Sequence, residues 1–280
     1  MNKSKKYLPL TLGVVLSVVF AAVRIMINLI FSDETTGEYT GGSVLLYSLY
    51  AAVALSSLII FFLMRRIYSG KEWTSEEKSS GVWLFVCSAL SFFLIFVCVF
   101  IVLAAVAKQE FVAGANFSAE VLLIIFGIGS AVFFFLSAAK KAERLRADPA
   151  FSLMYLFPLG FFTVRLVLGF LSYATTAAHI MFQLQNAAVA VACIYLIFEQ
   201  RLQRRVDKVL PYYMVAAPVA MSVISLSAIP TLVVSLIREN SQLYVGDPLF
   251  CLVETAFVFY IGAKLYNVCN EAKEAAENEA

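Results

Sequence analysis

Arg24, Arg165 and Glu254 stand inside runs that are otherwise almost wholly apolar. An ionised side chain deep in such a run costs roughly 2.5–3.5 kcal/mol to insert in a membrane, so it is expected to face a helix-bundle interior or a water-filled cavity. A planar guanidinium offers forked donors that match a carboxylate or a phosphate. Glu254 can neutralise one arginine. The chemistry on offer is the binding of an anionic or zwitterionic solute, or of a lipid headgroup.

Other polar residues fall at matching positions. Asn28 is four residues from Arg24 and shares its helix face. His179, Gln183 and Asn186 are spaced by four and then three, which places them along one face of one helix. Asp247, Cys251 and Glu254 form a comparable stripe. The ligand-binding set read from the sequence is therefore Arg24, Arg165, Gln183, Asn186 and Glu254. Asn28, Pro218 and Pro230 are its structural or gating companions. Two structural readings compete with a site. Arg–Glu and Arg–Gln contacts also join helices, and an arginine near the interface can extend its charge to water.

Bond-making chemistry finds no support. Nucleophilic catalysis needs a Ser or Cys within reach of a base. The single histidine, His179, has neither placed beside it by spacing, and as a residue near a span end it reads as interfacial. There is no HExxH, Walker A or GxGxxG motif. A metal site would require clustered His, Cys or carboxylates. Cys87, Cys98, Cys193, Cys251 and Cys269 are scattered without a CxxC pair and read as small buried apolar residues. No catalytic residue, metal or cofactor is expected, and no basic face with interleaved aromatics suggests nucleic acid.

The elements that hold these residues follow from composition. The chain has 280 residues, 61% hydrophobic and 14% charged. A soluble domain has roughly 45–50% apolar and about 25% charged residues, so the solvent implied here is lipid. About 20 apolar residues cross the hydrocarbon layer as a helix. Eight stretches qualify, at 7–31, 43–64, 82–107, 119–139, 151–173, 179–198, 211–237 and 248–267. The first begins after Lys3, Lys5 and Lys6 but runs on to Phe31, too long for a secretory signal core. Short polar connectors join the spans, so residues 1–280 form one integral membrane domain, followed from residue 268 to 280 by an acidic cytoplasmic tail.

Lys and Arg set the orientation. Alternate connectors and the two ends hold seventeen of the 21, whereas the opposite side holds only Lys108 and Arg238. The expected fold is an all-α membrane protein with about eight transmembrane helices, both termini cytoplasmic, in the cell membrane. On that topology Arg24, Arg165 and Glu254 all lie roughly 10 Å below the outer boundary, counting about 1.5 Å per residue. Pro230 falls at the same level in span seven, and interrupted helices mark cavities in membrane proteins. Pro158 should bend span five. Tyr7, Trp83, Tyr173, Tyr212, Tyr213 and Tyr266 fall near span ends and read as interfacial anchors. Spans three and four carry no ionised interior residue and read as peripheral.

An internal duplication is also expected. Phe20-Ala21-Ala22-Val23-Arg24-Ile25 resembles Phe161-Phe162-Thr163-Val164-Arg165-Leu166, and Ala51-Ala52-Val53-Ala54 resembles Ala187-Ala188-Val189-Ala190. Arg65 and Arg201 follow the second pair at equal distance. The halves would be 1–146 and 147–267, parallel repeats of four spans each, a pattern found among secondary transporters. The function read from this pattern is secondary transport of a small anionic or zwitterionic solute. The other reading is a non-catalytic sensor, accessory or assembly protein that uses the same polar layer for helix contacts.

Overall fold

A computed structural model of the chain describes residues 6–31, 43–73, 81–107, 117–139, 149–172, 179–204, 206, 208–237 and 248–274. The side chain of His179, together with Asp247, Tyr173, Lys108, Arg238, residues 275–280 and much of the basic connector sequence, lies outside this set.

Helix dominates because the apolar runs are long enough for every backbone polar group to bond within its own segment, as lipid requires. In chain order the helices are α1 Leu8–Phe31, α2 Ser43–Tyr68, α3 Gly81–Val106, α4 Phe117–Ala139, α5 Pro149–Met154, α6 Leu156–Ser172, α7 His179–Gln203, α8 Leu210–Ile237 and α9 Pro248–Glu271. Helices α5 and α6 are one span interrupted at Tyr155. Pro158 has no N–H for the carbonyl four residues earlier, that of Met154, so the bond ladder breaks there. Two three-residue strands, β1 Lys71–Trp73 and β2 Ala272–Glu274, pair antiparallel with Lys71 opposite Glu274. The chain past residue 268 is helical to Glu271 and strand from Ala272 to Glu274.

Among the described residues, seven helical segments are long and apolar enough to cross a membrane: α1, α2, α3, α4, α5–α6, α8 and α9. Helix α7 is as long, at 25 residues, but Gln183, Gln185, Asn186, Glu199 and Gln200 dilute its apolar run. The two ends of the helical chain meet. Lys6 Nζ donates to the Asn270 carbonyl at 3.0 Å, Tyr7 stacks on Tyr266 with ring centres 5.9 Å apart, and the Tyr68 hydroxyl donates to the Lys6 carbonyl at 3.0 Å. The start of α1 and the ends of α2 and α9 therefore share one end of the bundle.

Helix α8 is the centre, packed against α1, α2, α7 and α9. Helix α9 also meets α1 and α3, α4 joins α3 to α6, and α6 lies on α7. Close approach of α1 to α8 uses a face of Gly13, Ser17 and Ala21. A Cβ on Gly13 would stand 3.2 Å from Pro218 Cα and 3.0 Å from Met221 Sδ, so any larger residue would have to push α8 back by a few tenths of an ångström. The two halves are not packed alike. The counterpart of α8 in a four-plus-four duplication is α3, which sits at the edge against α4 and α9. Large apolar side chains such as Val18, Phe62, Phe85, Phe92, Phe170 and Phe259 are exposed around the bundle, the belt that lipid would cover.

Trp83 and Tyr213 belong to the core instead of the interface. Trp83 is buried and donates from Nε1 to the Ser137 carbonyl at 3.1 Å, and the Tyr213 hydroxyl pairs with that of Tyr195 at 3.2 Å. Tyr212 and Tyr266 remain exposed as expected.

Candidate functional site

The two arginines of the polar level have different partners. Arg24, on α1, is 2% exposed, and its Nη1 donates to the Leu226 carbonyl on α8 at 2.7 Å. In an α-helix that carbonyl accepts from the residue four positions on. Here that residue is Pro230, which has no N–H. The arginine thus occupies the acceptor that the proline leaves open. Asn28 is buried one turn away on the same face of α1.

Arg165, on α6, reaches across to α9. Its Nη1 lies 2.7 Å from Glu254 Oε1, and its guanidinium carbon sits 4.3 Å from the ring centre of Phe250. Phe250 and Glu254 are four residues apart, so one face of α9 supplies both the counter-ion and the π surface. The charge pair is close but not aligned along an N–H bond. Among the described residues neither Nη of Arg165 donates a hydrogen bond, although the side chain is 93% buried. Buried guanidinium donors left in this state are costly, and they mark the place where an acceptor would be held best.

Asn186 adds a second such donor. It is buried on α7, and its Nδ2 has no partner among the described residues. Its Oδ1 occupies the space over Gly169, where a Cβ would lie 2.1 Å from it. Gly169 is one turn beyond Arg165 on α6, so Asn186 lies about one turn, roughly 5 Å, further along the bundle from the guanidinium. The absence of a side chain at residue 169 is what makes room for the amide.

Of the sequence-read set, the structure brings Arg165 and Glu254 into contact and places Asn186 a turn away. Arg24 is bound to the α8 backbone, with Asn28 beside it. Gln183 is exposed and stands off this buried cluster. Three positions before Asn186, it lies about 60° round the helix, and the edge of the packed face runs between the two. Pro218 marks the close contact with Gly13, and Pro230 the open carbonyl. The connectors at this end, 32–42, 108–116, 173–178 and 238–247, lie outside the described residues.

A second buried polar group, at the end where the termini meet, is not apparent from the sequence alone. Glu199 is fully buried and accepts from the Tyr260 hydroxyl at 2.6 Å and the Tyr155 hydroxyl at 3.1 Å. Lys264 is 1% exposed, with Nζ 5.2 Å from the ring centre of Trp83. In sequence, Glu199 sits beside Gln200 and Arg201, and Lys264 precedes a polar tail, so both pass for interfacial residues. The signal available was the four-residue spacing of Tyr260 and Lys264, which puts a hydroxyl and an ammonium on one face of α9. Spans three and four also need correction: Glu120, near the start of α4, is buried. No group of three His, Cys, Asp or Glu among the described residues is arranged to hold a metal.

No family model matches this chain, and no curated protein or solved structure matches it. Function is therefore argued from the site itself.

Proposed function

We propose that this multi-pass membrane protein carries a small anionic or zwitterionic solute, bound at Arg165 and Asn186. The observation that carries the reading is the Arg165 guanidinium: it is buried, its Nη1 is paired with Glu254 at 2.7 Å and its plane lies by Phe250, while its Nη2 donates no hydrogen bond among the described residues. A carboxylate or phosphate would take the Nη2 donor, and Asn186 Nδ2 would be the next donor further along. Glu254 supplies the negative partner that an ammonium on a zwitterion requires. Arg24 supports the site from a distance by closing the break in α8. No chemical step is assigned to the protein.

In this proposal both termini are cytoplasmic, because basic residues crowd the connectors at their end. The Arg165 level then faces the outer leaflet of the cell membrane. Pro230 makes α8 the helix best able to bend between states.

A second reading rests on the Arg24–Leu226 bond and the Arg165–Glu254 pair as helix joints. The protein would then be a sensor or assembly factor whose polar layer holds its own fold or a partner helix.

A thermal-shift screen of purified protein against amino acids, organic anions, nucleotides and phosphorylated headgroups separates the two. Carriage predicts a reproducible hit that is weakened in Arg165→Lys, which keeps the charge opposite Glu254, and lost in Arg165→Ala/Glu254→Ala, which leaves no lone buried charge. No hit, together with co-purification of one fixed membrane partner, would favour the second reading.

A further inference from the structure

Helix α8 is the floor of an open cleft of about 410 Å³ whose walls are α2 and α7. Ala54, Ser57 and Phe61 line it from α2, and Val191, Ile194 and Phe198 from α7. The lining is apolar: the Ser57 hydroxyl, its main polar group on α2, is turned back onto the Val53 carbonyl at 2.8 Å. Each wall ends in an arginine one turn further on. Arg65 follows Phe61 by four residues and lies 6.0 Å from that ring's centre, and Arg201 follows Phe198 by three. The side chains of both are exposed. Phe198 stacks on Tyr212 with ring centres 6.2 Å apart, closing the same end of the cleft.

An apolar slot open to the lipid-facing belt, with two guanidinium groups at one end, matches an amphiphile with an apolar tail and an anionic head. We propose that this cleft is a specific site for one anionic phospholipid of the leaflet that adjoins the termini. An acyl chain lies against Ala54, Val191 and Ala216, and the phosphate rests between Arg65 and Arg201. Basic pockets between transmembrane helices bind acidic headgroups in this way, with each arginine contributing through charge and forked hydrogen bonds. Arg204, the next basic residue of α7, is turned towards α5, where its Nε donates to the Ser152 hydroxyl. The inference is independent of the Arg165 site.

The test uses delipidated full-length protein and two lipids with identical acyl chains, phosphatidylglycerol and phosphatidylcholine, compared by native mass spectrometry or thermal shift. Phosphatidylglycerol should bind more tightly by about 25-fold, counting roughly fivefold for each arginine, and the preference should fall with salt. The R65Q/R201Q double variant should lose the preference and still bind phosphatidylcholine. Ala54→Trp, which fills the cleft from an exposed position, should weaken both lipids. Equal binding of the two lipids by the native protein would overturn the proposal, as would a preference that survives R65Q/R201Q. Photocrosslinking from position 216 should label lipid, and labelling of a partner polypeptide instead would also overturn it.

Discussion

Arg24 donates to the backbone carbonyl of Leu226 on the central helix, and Pro230 is the reason that carbonyl is available. A proline inside a buried helix removes one N–H and leaves one acceptor open. In water a solvent molecule would fill the gap. Here the charged side chain of a neighbouring helix does so, which joins α1 to α8 at the point where α8 is weakest.

That pairing predicts an unusual rescue. Arg24→Met should destabilise the protein by about 1–3 kcal/mol by exposing a buried unsatisfied carbonyl. Adding Pro230→Ala restores the missing N–H and should recover part of the loss. Thermal unfolding of the four proteins in detergent gives the coupling, expected on the order of 0.6–1.7 kcal/mol for a bond of this kind. Additive effects of the two substitutions would mean the bond is incidental.

Glu254 and Arg165 should behave as a unit. Removing one partner leaves a buried charge alone and costs about 3–5 kcal/mol. Glu254→Ala and Arg165→Met should each be strongly destabilising, with the double variant better than the sum of the two. If Glu254→Ala unfolds no earlier than the native protein, Arg165 has another counter-charge.

Gly169 is a steric gate on Asn186. Gly169→Ala puts a methyl where Asn186 Oδ1 now sits, so the amide must rotate or α6 must shift. Overpacking of this kind costs roughly 1–3 kcal/mol. The combination Gly169→Ala with Asn186→Ala should restore most of the stability but not the solute response of the native protein. A full response in the double variant would remove Asn186 from the site.

At the opposite end, hydrogen-bond length orders two conservative substitutions. Tyr260→Phe and Tyr155→Phe both keep the ring and remove a donor to Glu199, at 2.6 Å and 3.1 Å respectively. Bonds to a charged group are worth about 1.5–3 kcal/mol, and the shorter one should cost more. Unfolding midpoints in one detergent decide the order, and equal midpoints would show that Glu199 does not depend on these hydroxyls.

Hydropathy made the spans legible because insertion depends on length and apolarity, both of which are written along the chain. The cost of charge in lipid likewise pointed to Arg24, Arg165 and Glu254. Partners were less legible. Position along a helix gives depth, but which way a side chain faces depends on how the helices are rotated against one another. Arg24 and Arg165 share a sequence context yet meet a carbonyl and a carboxylate. Gln183 and Asn186 share a broad face, but the packed edge divides them. Glu199 and Lys264 were hidden by position: at span ends a charge carries no apparent cost, so nothing marked them as buried. Trp83 and Tyr213 were misplaced for the same reason, since an aromatic near a span end can face lipid or core with one sequence signature.

Transport itself is tested most directly by uptake into proteoliposomes of the solute found in the stability screen. Saturable uptake by the native protein, sharply reduced in Arg165→Lys, which keeps the charge opposite Glu254 and so the fold, is the predicted result. Uptake no greater than in protein-free vesicles, with the solute still bound, would contradict carriage and leave the protein a sensor.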